Sequence, residues 1–501
     1  MSVLRPKLLG RYFVSFLFIA LAMSLLFFSF YSFDGDVLWH IKMGEDIVNT
    51  QSVSTVNLYT WLSGSQWNQQ EWLFDVLLYG VVYFFDIWGF YLLHGLFFCF
   101  LFWYCFKRVQ PKYPYLFVLF FALALYFFPH CGITRPIFYS TLFFLLAVQI
   151  YDTYDSFSFL PFFLFFLIGT VMSNFHCGNC LILLAFLIGY VFLDIFMFVV
   201  SDDIPKHDIK YILYRFGLIV SFVLGIGVNP LGYYPFGQMI KAVGMDNTFV
   251  LEWKPFSSGS PFNWLFILLS FGLVFCNLRL SDGKALKHSC TLFVFFVLSL
   301  LSRKAFIIYV YFYLVYGYLF FENFCVDIYK RLIRFGEMHV FKLIGSKKFI
   351  CVSVFLSLVC CCTVYAGQSD FSFDTLIQKY CDGCGISGEI IECLKIYKPE
   401  RLYNGYGVGN SLMWNDIPVF LDTRQHPYTE NMGSVSSFED SIDLIKDVHR
   451  NTIDGYFEKY DFDAVLVDEG CGVLLYYMQL RSDFENVVSN DLVSLWIKKD
   501  T

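Results

Sequence analysis

The sequence predicts a polytopic α-helical membrane protein, with about eleven transmembrane helices plus one interfacial helix, that ends in an extracytoplasmic α/β domain. Three observations carry that expectation: the composition, a series of long apolar runs, and a division of charge along the chain. Of 501 residues, 57% are hydrophobic and 15% charged, against about 45–50% and about 25% in soluble domains. That balance excludes a water-soluble enzyme. The 63 Phe and 34 Tyr residues supply most of the aromatic content, an excess that suits lipid-facing and interfacial surface. A formal charge of −7 leaves no basic footprint for nucleic acid. Residues 367–501 hold 11 Lys and Arg against 23 Asp and Glu, and the rest of the chain is net positive. A membrane body over 1–366 is thus joined to an acidic, soluble-looking tail over 367–501.

A spanning helix needs about 20 mostly apolar residues. Such runs lie at 12–33, 88–106, 114–128, 135–151, 157–173, 178–200, 211–228, 263–278, 287–301, 305–321 and 349–366. Segment 71–85 is a further apolar stretch, with Asp75 inside it and Asp86 closing it, and it makes the parity ambiguous. Lys and Arg break the tie, because short cytoplasmic loops accumulate them. Arg5, Lys7 and Arg11 place the N-terminus inside, as does the linker bearing Lys330, Arg331, Arg334, Lys342, Lys347 and Lys348. With 71–85 lying along the membrane surface, Lys107, Arg108 and Lys112 fall inside too, together with Lys206, Lys210, Lys284 and Lys287. The run at 12–33 reads as an anchor, since it is too long for a cleaved signal and no small-residue cleavage site follows it. The loop at 34–87 and the tail are then extracytoplasmic.

That first loop opens with Asp34 and Asp36, at the exit of a membrane helix, where a carboxylate is costly without a partner or a task. A general base or a metal ligand needs such a partly desolvated acid; the competing reading is a solvated helix cap, with Asp36 as N-cap of the helix that follows. The other outer loops carry Arg135, His176, Glu252, Arg303 and Lys304. Arg pairs in a planar, bidentate way with phosphate, so Arg135, Arg303 and Lys304 are candidate grips for a lipid-linked phosphate, or else snorkel toward headgroups. His176 alone reads as readily as a packing residue, and Glu252 as a second acid or as a loop partner of Lys254.

The series Asp34-x-Asp36-x-x-Trp39-His40-x-x-x-Gly44, Thr60-Trp61, Trp67 and Glu71-Trp72-Leu73 resembles a family of bacterial polytopic membrane proteins related to the GT-C glycosyltransferases. Arg135-Pro136, Asn174-x-His176, Asn229-Pro230-x-Gly232, Glu252-Trp253, Gly405-Tyr406 and Pro418-Val419-Phe420-Leu421-Asp422-x-Arg424 continue it in order along nearly the whole chain. Family members more usually show two aromatic residues before the His, where this chain has Leu38-Trp39. The resemblance implies a GT-C-like fold in the bacterial inner membrane, surface helices in the first loop, and sugar transfer from a polyprenyl-phosphate donor to an envelope glycan, lipid or protein. Asp36 or Asp34 would act as base or hold a divalent metal such as Mg or Mn. Trp39, His40, Glu71, Arg135, His176, Glu252, Arg303, Lys304, Asp422 and Arg424 would bind substrate. Chemically, inverting transfer needs a base for the acceptor proton and positive charge for the leaving phosphate, which this residue set contains. The alternatives are a transporter or flippase for a lipid-linked sugar, and a non-catalytic assembly protein of the same fold.

In the tail, β-like runs at 418–421, 464–467 and 492–497 alternate with helical stretches at 437–448 and 472–480, a pattern expected of a small α/β domain. Asp422 and Arg424 there either close over a site or fix a loop as an ion pair. The turn Asn404-Gly405-Tyr406-Gly407-Val408-Gly409 lacks the spacing of a dinucleotide fingerprint. Of the 16 cysteines, Cys381, Cys384, Cys393 and Cys471 fall outside the membrane, where disulfides are expected.

Overall fold

The computed structural model describes residues 34–125, 135–200, 209–243, 283–318, 320–323, 325, 372–446, 449–468 and 470–499. The expected spans at 12–33, 263–278 and 349–366, the linker at 330–348 and Glu252 lie outside the described residues. In chain order the first helices are α1 (Asp36–Thr50), α2 (Trp72–Phe85), α3 (Ile87–Val109), α4 (Pro114–Leu125), α5 (Pro136–Ser140) and α6 (Leu142–Thr153). They are followed by α7 (Phe159–Phe175), α8 (Cys177–Val200), α9 (Ile209–Ile226), α10 (Tyr234–Ala242), α11 (Gly283–Leu301) and α12 (Arg303–Phe312), the last running on into a π-helical turn, Tyr313–Gly317. The tail contributes α13 (Phe373–Gly383), α14 (Gly388–Tyr397), β1 (Leu402–Asn404), α15 (Gly409–Trp414), α16 (Glu430–Gly433), α17 (Ser437–Lys446), α18 (Arg450–Tyr460), β2 (Ala464–Asp468), α19 (Gly472–Leu480), β3 (Phe484–Ser489) and β4 (Val493–Lys498).

Contacts divide the chain into two compact units: a helical one, described over 88–233 and 283–325, and one that gathers 34–87, 234–243 and the tail. Among the described residues of the helical unit three helices are long and apolar enough to cross a membrane: Ile87–Val109, Cys177–Phe196 and Ile209–Ile226. Shorter apolar helices include Phe159–Phe175, Lys287–Leu301 and Lys304–Gly317. The expected span at 135–151 divides at Thr141 into α5 and α6. Helices α7 and α9 pack backbone to backbone. A Cβ on Gly169 would lie 2.2 Å from the Phe222 carbonyl oxygen, and one on Gly225 would lie 2.1 Å from that of Phe166. Small residues allow such approach where no solvent drives helices together.

One end of this unit carries an ionic belt. Lys287 pairs with Asp194, which also accepts from the Tyr151 hydroxyl at 2.5 Å. Arg215, almost fully buried, donates to Asp155 at 3.0 Å and stacks 4.0 Å from the Tyr151 ring. Asp152 meets Arg108 at 3.1 Å and His288 at 3.0 Å. These pairings neutralise charges that apolar surroundings would otherwise penalise.

The second unit is built on a four-stranded sheet in the order β1-β2-β4-β3. β1 runs parallel to β2, whereas β4 is antiparallel to both β2 and β3. Strands β2 and β4 lie where the alternating pattern puts them. The run at 418–421 does not join the sheet. Its Val419 bridges to Thr60 of the first loop, and the Asn404 side chain satisfies the next two residues, accepting from Phe420 N–H at 2.8 Å and donating to the Leu421 carbonyl at 2.7 Å. The apolar pattern there records burial against the loop, since Val419, Phe420 and Leu421 are fully buried. The loop is stitched to the tail at further points: Trp61 Nε1 donates to the Leu402 carbonyl at 2.9 Å, and the Ser65 hydroxyl to that of Pro427 at 2.8 Å.

The expected disulfides are absent: Cys381, Cys384, Cys393 and Cys471 are all free thiols. Cys381 and Cys384 lie three residues apart at the end of α13. Helical neighbours at that spacing hold their Cβ atoms about 5–6 Å apart, wider than the 3.5–4.5 Å of a disulfide.

Candidate functional site

Helix α1 carries the first-loop acids and α2 lies against it. Gly44 permits the fit, because a Cβ there would stand 2.1 Å from the Asp75 carbonyl oxygen. Close packing sets the His40 ring, 1% exposed, against Asp75, which is fully buried. His40 Nδ1 and Asp75 Oδ1 share a hydrogen bond of 2.6 Å, and His40 Nε2 lies 3.8 Å from Glu71 Oε2. Trp39 covers the imidazole at 3.5 Å between ring centroids, and Phe74 meets it edge-on at 4.9 Å. Burial, reinforced by the charge of Glu71 and opposed by that of Arg424, holds the Asp75 carboxyl well above the usual carboxylate range.

The tail loop Asp422-Thr423-Arg424 completes the cluster. Arg424 Nε donates to Asp422 Oδ1 at 2.9 Å, and both side chains are wholly buried. Tyr428 donates to Asp422 Oδ2 at 2.6 Å, and Arg424 also donates to Asn57 Oδ1 at 2.9 Å. The guanidinium carbon lies 5.1 Å from the Trp67 ring centre and 5.4 Å from that of Tyr59. Tyr59 donates to Asp46, and burial together with that carboxylate pushes the phenol up. Between the ion-paired residues, the Thr423 hydroxyl donates to Asp36 Oδ1 at 2.5 Å and accepts from Asn410 at 2.7 Å. Asp36 N–H donates to Asp34 Oδ1 at 3.2 Å. Asp36 is the first residue of α1, after an N-cap at Gly35 that makes no side-chain cap bond, so it is not the solvated N-cap of the competing reading; it is buried and clasped by the tail.

Thus Asp34, Asp36, Trp39, His40, Glu71, Asp422 and Arg424, read as separate candidates from the two ends of the chain, belong to one cluster. Several buried atoms within it have no hydrogen-bond partner among the described residues: Trp39 Nε1, Trp67 Nε1, Asp75 Oδ2, Arg424 NH1 and both amide atoms of Asn68. Buried polar groups are ordinarily satisfied, so these atoms suit ordered water or the polar groups of a ligand.

Arg135, His176, Arg303 and Lys304 belong to the helical unit. Arg135 opens α5, whose Tyr139 ring meets Phe175 next to His176. Asn179 donates to Ser140 at 2.6 Å, and Tyr311 of α12 donates to the Phe138 carbonyl at 2.7 Å. His176 caps α8: its Nδ1 accepts from Asn179 N–H at 3.2 Å. Burial and the nearby Lys304 charge lower its pKa to about 3. A neutral imidazole bound to the backbone makes His176 a capping residue, a role an N-cap side-chain acceptor fills. The side chain of Arg303, the first residue of α12, is outside the description.

Asp34 and Asp36 already turn an oxygen each to Asp36 N–H and Thr423, and among the described residues no group of three or more His, Cys, Asp or Glu side chains is arranged to hold a metal ion. Sequence reading missed Asp75 as a functional residue, having treated it as an interruption of an apolar stretch. Its position four residues after Glu71, one helical turn away, was the available signal. It also missed Thr423, which no pattern distinguishes. No family model matches the chain, and no curated protein matches it either.

Proposed function

We propose that this chain is a membrane glycosyltransferase of GT-C-like architecture that moves a sugar from a polyprenyl-phosphate donor to a cell-envelope glycan, lipid or protein. In this reading about eleven helices span the bacterial inner membrane, the N-terminus is cytoplasmic, and the first loop and tail are extracytoplasmic. The observation that carries it is the clasp between Asp36 and Thr423, beside the buried Asp422–Arg424 pair, because it joins the motif residues of the first loop to those of the tail. A first-loop carboxylate takes the acceptor proton as the anomeric carbon leaves its phosphate. Arg135, Arg303 and Lys304 supply positive charge for the leaving phosphate, while Asp422 and Arg424 hold the loop that carries Asp36. The ionisable residues sit mostly at the ends of the apolar runs, with Asp194 and Arg215 as exceptions, which favours transfer over transport.

The test is turnover of short-chain polyprenyl-phosphate sugars by the purified full-length protein in detergent, where no gradient exists. Wild type transfers sugar, and Asp36→Asn and Asp34→Asn lower transfer at least tenfold and alter the surface glycan of cells. Unchanged glycan and unchanged transfer in both variants would exclude the proposal.

A further inference from the structure

Glu71 and Asp75 stand one turn apart, the Asp75 N–H donating to the Glu71 carbonyl at 3.0 Å, and both carboxylates face the same imidazole. Exposure is graded along this line: the side chain of Asp75 is 0% exposed, that of His40 1% and that of Glu71 11%. The line therefore starts in a sealed interior and ends at Glu71. Trp39 and Phe74 hold the ring so that its two nitrogens point to different acids.

We propose that Asp75, His40 and Glu71 form a proton relay, in which Glu71 is the first-loop carboxylate that takes the acceptor proton and His40 and Asp75 are positioning residues behind it. This rests on the glycosyltransferase reading. As the acceptor oxygen bonds to the anomeric carbon, its proton passes to Glu71. The bond from that carbon to the phosphate oxygen breaks, and its electron pair stays on the phosphate. His40 Nε2–H donates to Glu71 and orients the carboxylate that takes the proton, while the hydrogen bond to Asp75 fixes the ring. The 3.8 Å separation of Glu71 from His40 shortens on substrate binding, as catalytic hydrogen bonds do. Burial and the Glu71 charge hold the Asp75 carboxyl above the usual carboxylate range. The charged or titratable groups around it are Arg424 and Asp422 of the tail loop, and Asp46 with Tyr59.

Two measurements on the full-length protein decide it. The first, infrared titration, needs no substrate. Wild type shows a protonated carboxyl band at neutral pH that Asp75→Asn removes; a band unchanged in Asp75→Asn overturns the relay. The second is the pH dependence of transfer from short-chain polyprenyl-phosphate sugars. Glu71→Gln lowers kcat by about 100-fold or more. Asp75→Asn and His40→Gln move the acid limb of the profile with little change in KM, Asp75→Glu restores it in part, and Asp36→Asn acts mainly on KM. Full turnover by Glu71→Gln, or an unmoved profile in Asp75→Asn, also overturns it. Glu71→Gln, at the less deeply buried end, keeps the kinetic test decisive if Asp75→Asn fails to fold. If wild type transfers none of the sugars, the glycosyltransferase reading fails, and the infrared band still decides whether the line holds a proton.

Discussion

In the helical unit, Asp152, Asp155 and Asp194 each meet a cation: Arg108 with His288, Arg215, and Lys287. In the loop-and-tail unit, Asp36 meets a hydroxyl, Asp46 a phenol, and Asp75 an imidazole that also lies near Glu71. Arg424 there is bonded to Asp422. Paired charges in apolar surroundings hold helices in register and leave little to react. The carboxylates of the loop-and-tail unit meet neutral hydroxyl and ring partners instead, among buried atoms left without partners in the described residues. The difference separates a scaffold from a site.

Four substitutions break or sharpen that comparison, each read by unfolding of the full chain. Arg424→Met leaves Asp422 buried and unpaired and costs about 3–5 kcal/mol; adding Asp422→Leu recovers much of it. A cost below about 1 kcal/mol for the single variant would show that the pair is not sealed. Lys287→Met costs less, about 2–3 kcal/mol, because Asp194 keeps the Tyr151 hydroxyl and a hydrogen bond to a charged group retains about 1.5–3 kcal/mol. Gly44→Ala drives a methyl group into the Asp75 carbonyl, costs about 1–3 kcal/mol by overpacking, and displaces His40 from Asp75. An equal loss of the infrared carboxyl band in Gly44→Ala and Asp75→Asn would tie the α1–α2 spacing to the proton line.

The smallest effect is a pH dependence in the helical unit. The folded-state pKa of His176, about 3, lies below its ordinary 6.5. Its contribution to stability is therefore complete above about pH 6.5 and is lost as pH falls toward 3. His176→Asn keeps a capping acceptor, so stability at neutral pH changes by only a few tenths of a kcal/mol, and the slope between pH 7 and pH 5 flattens. A slope unchanged by the substitution would place the titrating group elsewhere.

Much of the helical unit was legible in the sequence because apolar runs of membrane length need no tertiary partner to be recognised. Helices α3, α8 and α9 follow the expected runs closely. The tail was half legible. β2 and β4 declare themselves by alternation, whereas 418–421 has the same apolar signature and pairs with Thr60 instead, since burial alone does not name the partner. Cys381 and Cys384 are spaced too widely at the end of α13 to pair, and spacing along the chain does not tell how far Cys393 and Cys471 lie from them in the fold.

What the sequence by itself determined is the kind of material: apolar helices, an acidic tail, and a set of acids and cations ranged along the chain. Only the tertiary structure decided which of these meet. His40 faces Asp75 because Gly44 lets two helices touch, and Thr423, hundreds of residues away, reaches Asp36 because the tail folds onto the first loop. Contacts of that range depend on packing, and packing depends on shape in three dimensions, which no local pattern in the chain records.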